Sequence, residues 1–509
     1  MNLNLPVRPS EERKDPQTSF NVADYGATGV AEPSEVLKLS NLCFKWLHYP
    51  AGLMVTIYRA RLGQDYDSVG IQRAIDAAHA AGGGTVLVPA GNYLIGPIEL
   101  RSHVRLHLEP GAKLWASPDM RDYQLRPGER PPASSLSKSF NRDVDGMSTN
   151  KRRLISAHRA KEFAITGSGQ ISAQSPAFVI PWMNDRPEQM ASLVRPEDTF
   201  LFYQCERVSV EGIRIVDTPS WTLVFDSCRE VRVHGISIHC FDVINSDGID
   251  LVNTSNATIS DCQIHCTDDA ICLKNPVPGA TMRNITVTNC VIRTLCNGFK
   301  IGTDSLGNYE DITVNNLVMY GDESSMGDRG GINLCAVDGG TVRNVNISNL
   351  VLRNMFCPFY LYATARTTLQ KALGEEPRPG LMERISITNV FADGTRYPCY
   401  IVGHPEQSIG EIHLANINMR KTRDFCEKAP EDPVPEVPDS YPTPFTFGSR
   451  HEGDRLPASG LYLRYVESAV IRDFHMSCEN LDVREFVVQE HCSEIVTTSV
   501  KCKMPLEVF

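Results

Sequence analysis

The chain is written in short apolar–polar alternations that return at near-regular intervals. One unit recurs as FAITGSGQI from Phe163, VSVEGIRI from Val208, VRVHGISI from Val231, ATISDCQI from Ala257, ITVTNCVI from Ile285, ITVNNLVM from Ile312 and VNISNLVL from Val345. ISITNVFA, IHLANINM and AVIRDFHM continue the series from Ile385, Ile412 and Ala469. Between Val208 and Val345 the steps are 23, 26, 28, 27 and 33 residues. Each unit reads apolar-x-apolar, a polar or glycine pair, then apolar-x-apolar. The alternation turns one side of each strand inward, and the middle pair makes a bend. Strands this short bury nothing alone, but stacked rungs bury a continuous core. The pattern predicts an all-β, right-handed parallel β-helix. A β-propeller needs blades of about 40 residues or more, longer than these steps.

Before the repeats, Ile71, Ala74, Ile75 and Ala78 fall at helical spacing, and Gly82–Gly84 end the segment. A short N-terminal capping helix is therefore expected, followed by strands in TVLVPAGNYLIGPIEL and HVRLHLEPGAKLWAS. Asn289, Asn316, Asn349, Asn389 and Asn416 recur at the bend. Asparagine tolerates left-handed backbone and can form ladders of amide hydrogen bonds along a stack. The same turn chemistry accounts for the Asn-x-Ser/Thr sequences at Asn253, Asn256, Asn284 and Asn346. Residues 1–19 read as an extended or disordered arm, and 20–509 as one β-helix domain. Long loops interrupt it at 121–151, 366–381 and the Pro-rich 427–460. Residues 30–63, apolar without clean period, form an unusual insert.

Length matters here because 509 residues exceed the usual single core, which favours a repeat architecture. The net charge of −11 argues against nucleic acid or an anionic membrane as partner. No stretch approaches the roughly 20 apolar residues that span a bilayer, and no signal peptide is visible, so an intracellular location is expected. The 16 cysteines lie largely inside strand-like runs and read as buried, reduced thiols.

Chemistry concentrates in NSDGIDLVNTSNATISDCQIHCTDDAICLKN, Asn245 to Asn275. Asp247 and Asp268 stand 21 residues apart, close to one rung, and Asp269 follows at once. In phase, the three carboxylates would stack roughly 4.8 Å apart, the spacing of neighbouring strands. Acids held that close repel one another and split their pKa values, which suits acid/base work. The next rung carries CNGFKIG from Cys296, and Gly248 and Gly298 are expected to leave space for a ligand to approach the backbone. Glycoside hydrolysis needs one protonated acid and carboxylates that position water. A β-helix polysaccharide lyase would instead use calcium and a basic residue, for which Lys274 and Lys300 are available.

These motifs resemble glycoside hydrolase family 28, the polygalacturonases and their relatives. NSDG resembles that family's N-T-D motif, TDDAICLK its D-D motif, and CNGFKIG its G-H-G-x-S-I-G motif. The opening FNVADYGATG and AIDAAHAAGGGTVLVPAGNY resemble the entry to the same fold. The resemblance runs from Phe20 to about Arg366, outside the insert. It implies an inverting hydrolase of pectic oligo- or polysaccharides with Asp268 as general acid, Asp247 and Asp269 activating water, and no metal or organic cofactor. Two departures stand out. Asn297 replaces the family's histidine and cannot titrate. The family's R-I-K motif, which grips the uronate carboxylate, should fall near Gly330–Asn333 and is absent. Asn245, Asn297, Lys274, Lys300, Arg329 and Arg366 are the candidate substrate-binding residues, with Lys300 expected to face outward and restore a positive charge. Exo action on a monomeric scaffold is the leading expectation. A lyase, a rhamnogalacturonan or rhamnosyl hydrolase of the same family, and a non-catalytic carbohydrate-binding homologue are the alternatives.

Overall fold

The recurring strands close into a coil whose turns stack in parallel. The computed structural model describes residues 18–505, apart from 40–42, 45–46, 49–52, 61–65, 126, 130–150, 179–194, 241–242, 244, 322–329, 367–369, 372–373, 375, 429, 431–433 and 435–455. Two long parallel sheets of 21 and 12 strands run the length of the coil. The repeat units form the larger sheet, and the smaller one carries the segments between them. Eight of its strands matter below: β1 (Leu223–Asp226), β2 (Ile249–Val252), β3 (Ile271–Asn275), β4 (Asn297–Ser305), β5 (Gly330–Ala336), β6 (Cys357–Ala363), β7 (Cys399–Val402) and β8 (Ala458–Arg464). Each pairs in parallel with the next.

The predicted parallel β-helix is what the alternation builds. In the smaller sheet Leu223, Ile249, Ile271, Phe299, Ile332 and Phe359 share one register position and point into the core, each 1 % exposed or less. Burying a column of such side chains stabilises each by roughly 1.5–3 kcal/mol. Their neighbours, one residue on, point out of the coil. Helix α1 (Ser68–Ala80) caps the N-terminal end and buries Ile71, Ala74, Ile75 and Ala78, as the spacing predicts. All the described cysteines are free thiols, and most are buried.

The bend asparagines behave as turn residues and as a ladder. Asn289, Asn316, Asn349, Asn389 and Asn416 all adopt left-handed backbone. Asn316 Nδ2 donates to Asn289 Oδ1 at 3.2 Å, Asn389 to Asn349 at 3.0 Å, and Asn416 to Asn389 at 2.9 Å. Asn253, Asn256 and Asn284 are left-handed too, and Asn284 Nδ2 bonds Asn256 Oδ1. Asn346 instead lies inside a strand.

The insert forms an antiparallel pair, Glu35–Leu39 with Leu53–Ile57. Just beyond it, the Tyr58 ring stacks on Trp115 at 4.1 Å, and Tyr58 exchanges backbone bonds with the Gln174 amide. Residues 1–17 and most of the 121–151 and 427–460 loops lie outside the described residues.

Candidate active site

Strand register decides which acids meet. Ile249 pairs with Ile271 and Ile271 with Phe299, so two residues earlier Asp247, Asp269 and Asn297 occupy one position on three successive rungs. The backbone agrees: Gly248 N–H donates to Asp269 O, and Ala270 N–H to Asn297 O. The in-register partner of Asp247 is therefore Asp269, 22 residues away, and not Asp268 at 21. Asp268 joins from the preceding position. It is the one of the three that stays partly exposed, while Asp247 and Asp269 are 2 % exposed.

The three carboxylates differ because their surroundings differ. Asp269 accepts from Asn297 Nδ2 at 2.6 Å and from Lys300 Nζ at 2.8 Å. Burial pushes its pKa up, but Lys300, Lys274 and those hydrogen bonds outweigh it and hold Asp269 below the usual carboxylate range. Burial, and then the charge of Asp269, push Asp268 up to about 6. Asp268 Oδ2 faces Asn245 Nδ2 at 3.4 Å, and Asn245 Oδ1 accepts from Arg195 Nη2 at 3.0 Å. Asp247 is raised well above the usual carboxylate range, by burial first and then by Asp250 and Asp268. Its Oδ1 has no hydrogen-bond partner among the described residues.

A second ion pair backs the trio. Asp250 lies outward on β2 and is fully buried, with its pKa pushed up to about 7 by burial against the opposing charge of Lys274. Lys274 Nζ stands 3.6 Å from Asp250, 3.9 Å from Asp247 and 3.1 Å from Cys272 Sγ, over the Trp221 ring at 4.5 Å. Burial works against its charge, but Cys272, Asp250 and Asp247 outweigh it, and Lys274 remains a cation. Tyr360 O–H donates to Asn297 Oδ1 at 2.9 Å and fixes which end of that amide faces Asp269. A side chain at Gly330 would collide with the Asn297 oxygen and the Tyr360 ring, so glycine there lets the two meet.

Several expectations need correction. Lys300 does point out of the core, but it is 2 % exposed and its ammonium is spent on Asp269. Arg366 lies 5 % exposed with two bonds of 2.6 Å to Asp338 and a contact of 3.6 Å to Asp304, so its own chain occupies the guanidinium. Gly248 and Gly298 face Ile264 and Met319, so they admit neighbouring rungs and not a ligand. Arg329 lies outside the described residues. Asp250, Arg195, Trp221 and Tyr360 were missed. Period-2 alternation from Ile249 would have turned Asp250 outward, and rung register sets Trp221 beside Asp247 and Tyr360 two rungs beyond Lys300, whereas Arg195 meets the site only through long-range packing.

Ligand atoms of Asp268, Asp269 and Cys296 lie within 4.8 Å of one another, close enough to hold a cation. Lys300 Nζ, 2.8 Å from Asp269, places a positive charge against this cluster. Apolar clusters pack along the coil on either side of the acids. Leu201, Trp221, Val224 and Val252 pack on the N-terminal side. Tyr360, Tyr362, Tyr400 and Tyr462 pack with Phe356 and Leu456 on the C-terminal side.

Comparison with known proteins gives a consistent result. A family model described as glycosyl hydrolases family 28 matches residues 84–363. A probable polygalacturonase of Vitis vinifera is 22% identical over 373 residues, covering 70% of this chain and 72% of the relative. An endo-polygalacturonase of Pectobacterium carotovorum subsp. carotovorum is 22% identical over 297 residues, 57% of this chain and 70% of the relative. Among solved structures, an exopolygalacturonase from Thermotoga maritima superimposes with a TM-score of 0.59 at 20% identity, over 80% of this chain and 89% of the other. A family 28 exopolygalacturonase of Yersinia enterocolitica also gives 0.59, at 16% identity over 96% and 78%.

Proposed function

The chain belongs to the glycosyl hydrolases of family 28, and from that premise we propose that it is an inverting, exo-acting hydrolase of pectic oligosaccharides. The observation that carries the reading is the meeting of three acids on neighbouring rungs: Asp269 bonded to Lys300 and Asn297 and held ionised, Asp247 in register with it and raised by burial, and Asp268 partly exposed and pushed up to about 6. Asp268 donates its proton to the glycosidic oxygen as the C–O bond breaks. Water adds to the anomeric carbon from the other face and gives its proton to Asp269, with Asp247 accepting a hydrogen bond from it. Lys300 and Asn297 keep Asp269 ionised, which the family's histidine cannot do here because Asn297 stands in its place. Asn245, fixed by Arg195, steadies Asp268. Lys274 prevents Asp247 and Asp250 from becoming an uncompensated buried pair.

Exo action is part of this reading because long loops at 366–381 and 427–460 interrupt the coil on the C-terminal side of the acids. A monomer is part of this reading, since each rung needs only its neighbours. The test is incubation with saturated galacturonides and rhamnose-terminated pectic oligosaccharides, with products resolved by mass and anomeric configuration. Stepwise release of terminal sugar with inverted configuration is expected. An ultraviolet-absorbing unsaturated product would make the protein a lyase, and binding without turnover would make it a carbohydrate-binding homologue.

A further inference from the structure

The outer face of the larger sheet carries a second, unrelated regularity. His239, His265, Arg293, Tyr320 and Arg353 stand in register on consecutive rungs. The column continues through Asp393, Arg420, Ser477 and Lys503. From Arg293 onward a cation recurs on every second rung, roughly 9.6 Å apart at two strand spacings. Beside it runs an apolar column, Val291, Val318, Val351 and Phe391, exposed by 39%, 41%, 51% and 58%. At the C-terminal end the two columns border a groove of about 620 Å³.

We propose that these two columns form a second binding track for a linear uronate polysaccharide, separate from the catalytic acids. An extended glycan turns opposite faces on alternate sugars, so carboxylates on one side recur every two residues, in step with the cations. Sugar rings present apolar C–H faces, which the valines and Phe391 cover. Charge complementarity selects the occupant: Arg293, Arg353, Arg420 and Lys503 face Asp393 and Glu479, a local cationic excess on a chain of net charge −11. Arg420 is paired with Asp393 at 2.5 Å and lies 3.5 Å from Glu479, but these are exposed contacts that an incoming carboxylate can exchange. Arg353 lies over the Tyr320 ring at 5.2 Å, which keeps the guanidinium flat along the track. The substrate class rests on the function proposed above; the track's geometry does not.

Affinity electrophoresis through gels containing polygalacturonate tests the track. The Asp268→Asn protein should be retarded, and adding Arg353→Ala, Arg420→Ala and Phe391→Ala should weaken the apparent affinity at least fivefold. Should that combination fold poorly, Arg353→Gln with Lys503→Gln removes charge alone from exposed positions and should weaken it at least twofold. Fully methyl-esterified galacturonan keeps the chain and removes the charge, so it should retard neither protein. Turnover of a trisaccharide by the otherwise wild-type triple variant should be unchanged. Retardation is read without catalysis, so a chain that hydrolyses no galacturonide can still show the track. Equal retardation of all variants overturns the proposal, as does equal retardation by the esterified polymer. A change in sedimentation mass on Phe391→Ala with retardation intact would assign the face to a second copy and also overturn it.

Discussion

One outward column of the smaller sheet has two halves of opposite character. Over β2 to β5 it reads Asp250, Cys272, Lys300 and Asn333; over β6 to β8 it reads Tyr360, Tyr400 and Tyr462. The backbone is the same in both, and every member is buried. The first half holds charge and leaves Asp250 without a hydrogen bond among the described residues; the second packs rings, with Tyr360 and Tyr400 centroids 5.1 Å apart. The rung therefore supplies position only. What a position does is set by whether its side chain stores a proton or fills a wall, and Tyr360 does both at the border.

Substitutions that breach this division should rank by how much chemistry or packing they remove. Asp268→Asn should lower turnover by roughly 10³-fold while oligosaccharide binding persists, because a general acid is typically worth 10²–10⁴. Comparable binding with turnover reduced by less than tenfold would place the acid elsewhere. Tyr400→Ala, in the walling half, should cost about 3–4 kcal/mol of stability by leaving a large cavity, measured by denaturant unfolding.

Lys300→Met should lower turnover by about 10²-fold, roughly 2.7 kcal/mol of transition-state stabilisation. Its pH profile carries the sharper signal. Lys300 favours ionised Asp269, so removing it raises the Asp269 pKa and moves the acidic limb of kcat/KM to higher pH. In the wild-type protein the alkaline limb should begin near pH 6, where Asp268 loses the proton it must donate. An unmoved acidic limb in Lys300→Met would dissociate the lysine from Asp269. Tyr360→Phe should have the smallest effect. Losing one buried hydrogen bond costs about 1 kcal/mol, read as a fall in melting temperature with a severalfold loss of turnover.

Much of this division could be read from the residues. The coil and the clustering of Asp247, Asp268 and Asp269 follow from periods of two residues and of one rung, and the capping helix from the helical spacing of Ile71, Ala74, Ile75 and Ala78. The register within the DD pair does not. Asp268 and Asp269 differ by a single position, and only the ladder from Ile249 to Ile271 and Phe299 says which one faces Asp247. The cations were harder still. Lys300 and Arg366 look alike as isolated basic residues, yet one meets Asp269 and the other is retained by Asp338, 28 residues upstream. Arg195 reaches Asn245 from 50 residues upstream, where no local pattern exists to betray it.

The asparagine ladder has an orientation. In each of its bonds the amide nitrogen of the later rung donates to the oxygen of the earlier one, so the side-chain dipoles run head to tail down the outside of the coil. Asn418 closes the sequence by donating to Asn416. A molecule built this way can be lengthened or shortened by whole turns without disturbing that polarity, whereas inserting one residue at a bend would carry its asparagine out of line and interrupt the row there.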